Sequence, residues 1–151
     1  MVSRMNELDG PMRPCSRCGL VLVGVGACLA LVGVAAGALG AHALRGRLDP
    51  AMLGVFETAV RYQMYHALAL LAVGGAVVLQ PGRLIALAGG LFVAGILMFS
   101  GSLYLLSLTG TRGVVLITPL GGVAFIAGWA CLAGWAFRTA RRMPRQRTPG
   151  N

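Results

Sequence analysis

Polar and apolar positions are segregated along this chain. Four long stretches without a charged residue, 19–41, 67–79, 84–111 and 113–137, are separated by short polar connections. A helix needs about 20 apolar residues to cross roughly 30 Å of hydrocarbon. Three stretches meet that length outright. The second does so only if its helix begins near Val60 and takes in the polar string VRYQMYH at 60–66. The pattern therefore predicts an all-α membrane protein, a four-transmembrane-helix bundle with spans at about 19–41, 60–79, 84–108 and 114–137.

The connections carry turn and cap signals. Asp49-Pro50 supplies an N-cap carboxylate followed by proline at the first helical position. It predicts a short interfacial helical segment leading into the second span. QPGR at 80–83 and TGTRG at 109–113 are turns between antiparallel spans. In the first span Gly33, Gly37 and Ala41 form a small-xxx-small ridge that admits a neighbouring helix. In the fourth, Pro119, Gly121 and Gly122 are the packing positions, with Trp129 and Trp135 towards its far end. Residues 1–18 read as a disordered extension, with Met5 and Met12 as alternative starts, and 138–151 as a basic tail suited to solvent or anionic headgroups.

Composition agrees: 57% of residues are hydrophobic and 11% charged, with a mean hydropathy of +0.78, where a soluble domain carries about 25% charge. The net charge of +9 comes from 13 arginines against Glu7, Asp9, Asp49 and Glu57. Beside apolar spans such a balance reports topology rather than nucleic-acid binding. Nine arginines fall on the side of the two termini and the 80–83 turn, and four (Arg45, Arg47, Arg61 and Arg112) on the other. Arginine favours the cytoplasmic side of short loops, so both termini are expected in the cytoplasm of a bacterial plasma membrane. The first span imitates a signal peptide, with AHA at 41–43, and VGAC ending at Cys28 imitates a lipoprotein box. Its apolar run exceeds the roughly 7–15 residues of a signal core and continues past Cys28, so it is expected to be retained.

The chemistry-bearing residues gather at the ends of the spans away from the termini. Counting 1.5 Å per residue from Val60, Leu108 and Gly113 puts His66 and Ser102 roughly 9 Å deep and Thr118 roughly 7 Å deep. Together with His42, Tyr65, Ser100 and Tyr104 they are expected to form one polar cluster in the outer half of the bundle. On the second helix Glu57, Arg61 and Tyr65 make one stripe, Tyr62 and His66 its neighbour, and Gln63 lies apart beside Val60 and Met64. Polar groups in lipid are costly and usually face the bundle interior. Two readings fit: hydrogen bonds that hold helices together, or a site for a solute, proton or lipid headgroup. Two histidines without a carboxylate or cysteine at their depth make no metal site, and Cys15 and Cys18 form a lone CxxC without a second pair. No cofactor is expected. Nor is there a nucleophile elbow, HExxH, P-loop or intramembrane carboxylate pair, so no enzyme is expected.

Four motifs carry a family resemblance: GALGAHAL at 37–44, FETAVRYQMYHALALL at 56–71, FSGSLYLLSLTG at 99–110 and ITPLGGVAFIAGW at 117–129. In this order they resemble the DUF 423 family, the UPF 0382 small inner-membrane proteins, which are similar to a eukaryotic family of small transmembrane proteins. The resemblance covers about 20–137 and implies an integral membrane protein of unknown function without an established substrate or cofactor. The family's polar positions fall here on His42, Glu57, Tyr62, Gln63, Tyr65, His66, Ser100, Ser102, Tyr104, Thr118 and Pro119. Ala43 stands where the pattern has glycine and Phe56 where it has tryptophan. The expected partners are the lipid bilayer and a second copy or another membrane protein. The expected role is accessory or structural, the alternative being binding or transport through the polar cluster.

Overall fold

The computed structural model describes residues 14–142, and among these every regular element is helical. Helix α1 (Pro14–Leu39) ends in a π-helical turn, Gly40–Leu44; α2 runs without interruption over Pro50–Leu79. Helix α3 (Arg83–Thr109) contains a second π-helical turn, Ile96–Ser100, and a 3-10 turn at Arg112–Leu116 leads into α4 (Ile117–Arg142). Four helices are long and apolar enough to cross a membrane. Residues 1–13 and 143–151, which hold most of the expected extension and tail, lie outside the described residues.

Helix ends follow the local chemistry. The Asp49 carboxylate accepts from the Ala51 and Met52 amides at 2.9 and 3.0 Å, and Pro50 needs no acceptor because it has no N–H. α3 closes on Gly110, whose φ of 70° is the left-handed cap conformation glycine adopts most readily, with its N–H 2.9 Å from the Leu106 carbonyl. Pro119 sits in the first turn of α4, where proline costs no intrahelical bond. The helices also outrun the apolar stretches: α1 begins at Pro14 rather than at 19, and α4 continues through Arg142. Twenty-six residues of helix span about 39 Å, more than the hydrocarbon thickness, so polar ends can stay helical outside it.

Helix α2 is the hub. One of its faces packs along α1 and another along α3, while α4 lies on α3 and meets α2 through aromatic side chains. The main apolar cluster joins Leu70, Val73 and Val77 to Ile85, Phe92, Ile96 and Phe125. Phe56 and Ala59 are also buried, so the expected interfacial segment belongs to the packed bundle: Phe56 lies against Tyr104, ring centroids 5.0 Å apart, five residues inside the end of α3.

The α1–α2 seam departs from the expected ridge. Gly19, Gly26, Gly33 and Gly40 recur every seven residues and are the buried residues of the first helix among those described. A seven-residue period keeps one face of a helix turned toward its partner. A methyl group on Gly26 would stand 2.9 Å from the Ala67 carbonyl, and one on Gly19 2.7 Å from that of Gly74. By contrast Gly37 has only ordinary contact with Val60, and Ala41 is exposed. The i, i+4 ridge rotates off the seam, and Gly33 alone of the three lies on it. On α4, Gly121 packs on the Phe99 backbone, where a methyl group would come within 2.8 Å of its Cα, whereas Gly122 only approaches the Phe99 ring and Pro119 is exposed.

Gly26→Leu should therefore destabilise the bundle by about 1–3 kcal/mol, the usual cost of overpacking. Gly24→Leu, at a position with open space around it, should leave stability nearly unchanged. Unfolding in mixed detergent micelles compares the two.

Candidate functional site

His66 sits where α2, α3 and α4 meet. Its exposure is 5%. Phe125 of α4 stacks on the imidazole at a centroid distance of 3.5 Å, with planes 10° apart, and Phe92 of α3 lies across it at 5.5 Å. The Trp129 indole N–H donates to His66 Nε2 at 3.2 Å, and Nδ1 lies 2.8 Å from the Tyr62 carbonyl one turn earlier. Because Nε2 accepts, Nδ1 must carry the proton that goes to that carbonyl. The two bonds together require the neutral ring in a single tautomer. The two hydrogen bonds leave the imidazole no unused polar atom.

The other expected site residues do not join it. Ser102 Oγ donates to the Phe99 carbonyl at 2.9 Å and is 2.7 Å from Thr118 Oγ1, a direct α3–α4 bridge. From Thr118 to Phe125 is seven residues, roughly 10 Å along the helix axis, so this bridge and His66 occupy different levels. His66 is nearer the middle of the bundle than expected, because α2 packs from Phe56 onward and not from Val60. Gln63, set apart from the polar stripes in the sequence, is buried and donates from Nε2 to the Leu29 carbonyl of α1 at 2.8 Å. The expected single cluster is thus three separate interhelical ties: Gln63 to α1, His66 to α4, and Ser102 to Thr118.

The stripe expected to point inward points outward. Glu57, Arg61 and Tyr65 are exposed, Tyr62 is 39% exposed with its ring against Phe99, and His42 is exposed on the turn ending the first helix. Between α1 and α2 an open cleft of about 370 Å³ has Gly37, Phe56 and Met64 in its walls, with Glu57, Arg61 and Tyr65 alongside. The interior of α2 is filled by the Phe56–Gln63–Leu70 and His66–Val73–Val77 rows, so a charged residue at 57 or 61 turns to the outside. Ser100 Oγ and Tyr104 Oη are buried with no hydrogen-bond partner among the described residues. No group of three or more potential metal ligands occurs among the described residues, and Cys18, Cys28 and Cys131 are free thiols.

Sequence reasoning missed the aromatic walls, Phe92, Phe125 and Trp129. A usable signal existed for the last: twelve residues into α4, its indole lies roughly 18 Å along the helix, too deep for an interfacial belt, and an indole N–H at hydrocarbon depth requires a protein acceptor.

Fold and site define a small integral membrane protein, a four-helix bundle whose interior polar groups tie one helix to the next. Residues 36–122 match the family model described as protein of unknown function (DUF423), a range that includes all eleven expected polar residues but stops short of Trp129. The chain belongs to this family, DUF423/UPF0382. It is 47% identical over 118 residues to the UPF0382 membrane protein SAB0533 of Staphylococcus aureus (strain bovine RF122 / ET3-1), covering 77% of this chain and 94% of that protein. To the UPF0382 membrane protein YwdK of Bacillus subtilis (strain 168) it is 47% identical over 110 residues, 72% of this chain and 89% of the relative. A UPF0382 membrane protein of Haemophilus influenzae is 40% identical over 106 residues, 70% of this chain and 85% of the relative. No solved structure matches it.

Trp129→Phe keeps a ring of similar shape but removes the donor to His66, and should lower stability by about 0.6–1.7 kcal/mol, the range for interhelical polar contacts in membranes. Unfolding in mixed micelles measures it; no loss would mean the indole–imidazole bond contributes nothing. Ser100→Ala should do the opposite, raising stability by about 1 kcal/mol by removing a buried hydroxyl that has no partner, read in the same assay.

Proposed function

We propose that this protein is an accessory or structural component of the bacterial plasma (inner) membrane, without enzymatic activity of its own. It works by packing against a second copy or another membrane protein, with both termini in the cytoplasm. The observation that carries this reading is His66: both ring nitrogens are hydrogen-bonded and one face is covered by Phe125 at 3.5 Å. A solute or proton pathway needs a polar group with something left to offer a passenger, and this imidazole's bonding capacity is used within the bundle. The orientation rests on the nine-to-four arginine split across the two ends.

A second reading is favoured by the α1–α2 cleft, whose approximately 370 Å³ lies beside the exposed side chains of Glu57, Arg61 and Tyr65. A small amphipathic solute or headgroup could bind there from the membrane surface without reaching His66.

Single-cysteine variants treated with a membrane-impermeant maleimide test both parts of the main reading. In a background without other cysteines, His66→Cys should stay unlabelled in intact and permeabilised cells. Exposed Cys18 should be labelled only after permeabilisation. Aqueous labelling of position 66 would expose a solvent pathway to the histidine and overturn the structural role; labelling of Cys18 in intact cells would invert the orientation.

A further inference from the structure

We propose that the arginine-lined cavity between the α2–α3 turn and the last turns of α4 binds the phosphate headgroup of an acidic phospholipid. The inference rests on the membrane-spanning fold and is independent of the accessory role. The cavity has a volume of about 510 Å³, within the ~300–1,000 Å³ range of small-molecule sites. It lies at the end of the bundle opposite the α1–α2 cleft and takes in residues from two helices and a turn.

Three arginines, Arg83, Arg138 and Arg142, line it, and among the described residues no acidic one does. On α4 the spacing 135, 138, 139, 142 is i, i+3, i+4, i+7, so Trp135, Thr139 and both arginines share one face. Arginine presents its donors in a planar fork that matches phosphate oxygens. The turn adds a second type of donor. Gly82 is the N-cap of α3 and no side chain caps the first turn, whose first main-chain bond is from the Ala86 amide to the Gly82 carbonyl at 3.1 Å. The preceding amides have no acceptor within the helix, and Gly82, Arg83 and Leu84 border the cavity. Trp135 packs against Gly82, where a methyl group would meet the indole at 3.2 Å. The wall is therefore a packed one.

The setting selects a lipid over a free anion. Leu79, next in sequence to the lining residue Gln80, is 82% exposed, and Phe137, next to Arg138, is 70% exposed. Large apolar surface adjoins a trivalent cationic cavity at the end of the membrane spans. A ligand with a phosphate at one end and acyl chains at the other satisfies both. A zwitterionic headgroup would bring its own cation among the three arginines.

Purified full-length protein in neutral detergent, titrated with dioctanoyl phosphatidylglycerol, dioctanoyl phosphatidylcholine or inorganic phosphate and followed by intact-complex mass spectrometry, tests the proposal. One phosphatidylglycerol per chain should be retained in preference to phosphatidylcholine. Arg138→Gln with Arg142→Gln should weaken its binding about 30-fold, roughly fivefold per charge removed. Arg138→Lys with Arg142→Lys, which keeps the charge, should preserve the preference for phosphatidylglycerol. Arg45→Gln with Arg47→Gln, at the other end of the bundle, should bind as the unaltered protein does. Equal retention of the two lipids, inorganic phosphate binding as tightly as phosphatidylglycerol, or undiminished binding by a folded Arg138→Gln, Arg142→Gln variant would each overturn it.

Discussion

Inside hydrocarbon an imidazole finds no water, and the requirement that His66 be satisfied by protein alone organises the centre of this bundle. Trp129 must come from α4 to donate to Nε2, and the Tyr62 carbonyl must accept from Nδ1. Phe125 then covers one face of the ring, and Phe92 packs against it at a tilt. The contacts from Trp129, Phe125 and Phe92 fix the side of α2 that faces α3 and α4 and the depth at which α4 meets it. They also explain how α4 is tied to α2, since it otherwise lies on α3. Each contact is modest, an aromatic pair contributing about 0.5–1.5 kcal/mol beyond area burial, but all converge on one side chain and permit only one register.

The second organising element is steric. Apolar side chains gain little by leaving lipid for one another, so helices associate in a membrane through close packing and hydrogen bonds. Gly19 and Gly26 let α1 lie against α2 with backbone in contact with backbone, and Gly33 and Gly40 make room for the Met64 and Phe56 side chains. Gln63 adds a hydrogen bond to the Leu29 carbonyl across the same seam. Gly121 does for α3 and α4 what the heptad does for α1 and α2, seating α4 on the Phe99 backbone within the π-helical turn. The Ser102–Thr118 bridge lies beside that contact.

These two constraints divide the molecule into a satisfied interior and chemically distinct ends. The interior polar side chains are consumed as ties, apart from the hydroxyls of Ser100 and Tyr104. What remains available is at the surface: Glu57, Arg61 and Tyr65 beside one cleft, and three arginines around a cavity at the other end. The proposed packing and lipid contacts draw on these surfaces and not on His66, whose ring nitrogens are already bonded.

Four spans, their antiparallel order, the Asp49 cap, the Gly110 turn and the family were legible from the chain alone. Each depends on interactions among residues close in sequence or on the bilayer, whose thickness is the same for every segment. The chain also showed that its polar residues fall toward particular ends of the helices. It did not show which of them meet. A stripe on a helical wheel has no absolute direction until a neighbour occupies one side. The pattern that placed Arg61 and Tyr65 inside and Gln63 apart is equally consistent with the reverse. Depth was open for the same reason: counting from Val60 assumed where packing starts, and the Phe56–Tyr104 contact put it a full turn earlier. The heptad of glycines was present in the sequence, but an i, i+4 ridge beside it was just as visible. Rotation, depth and choice of seam are relations between helices, and only the tertiary structure decides them.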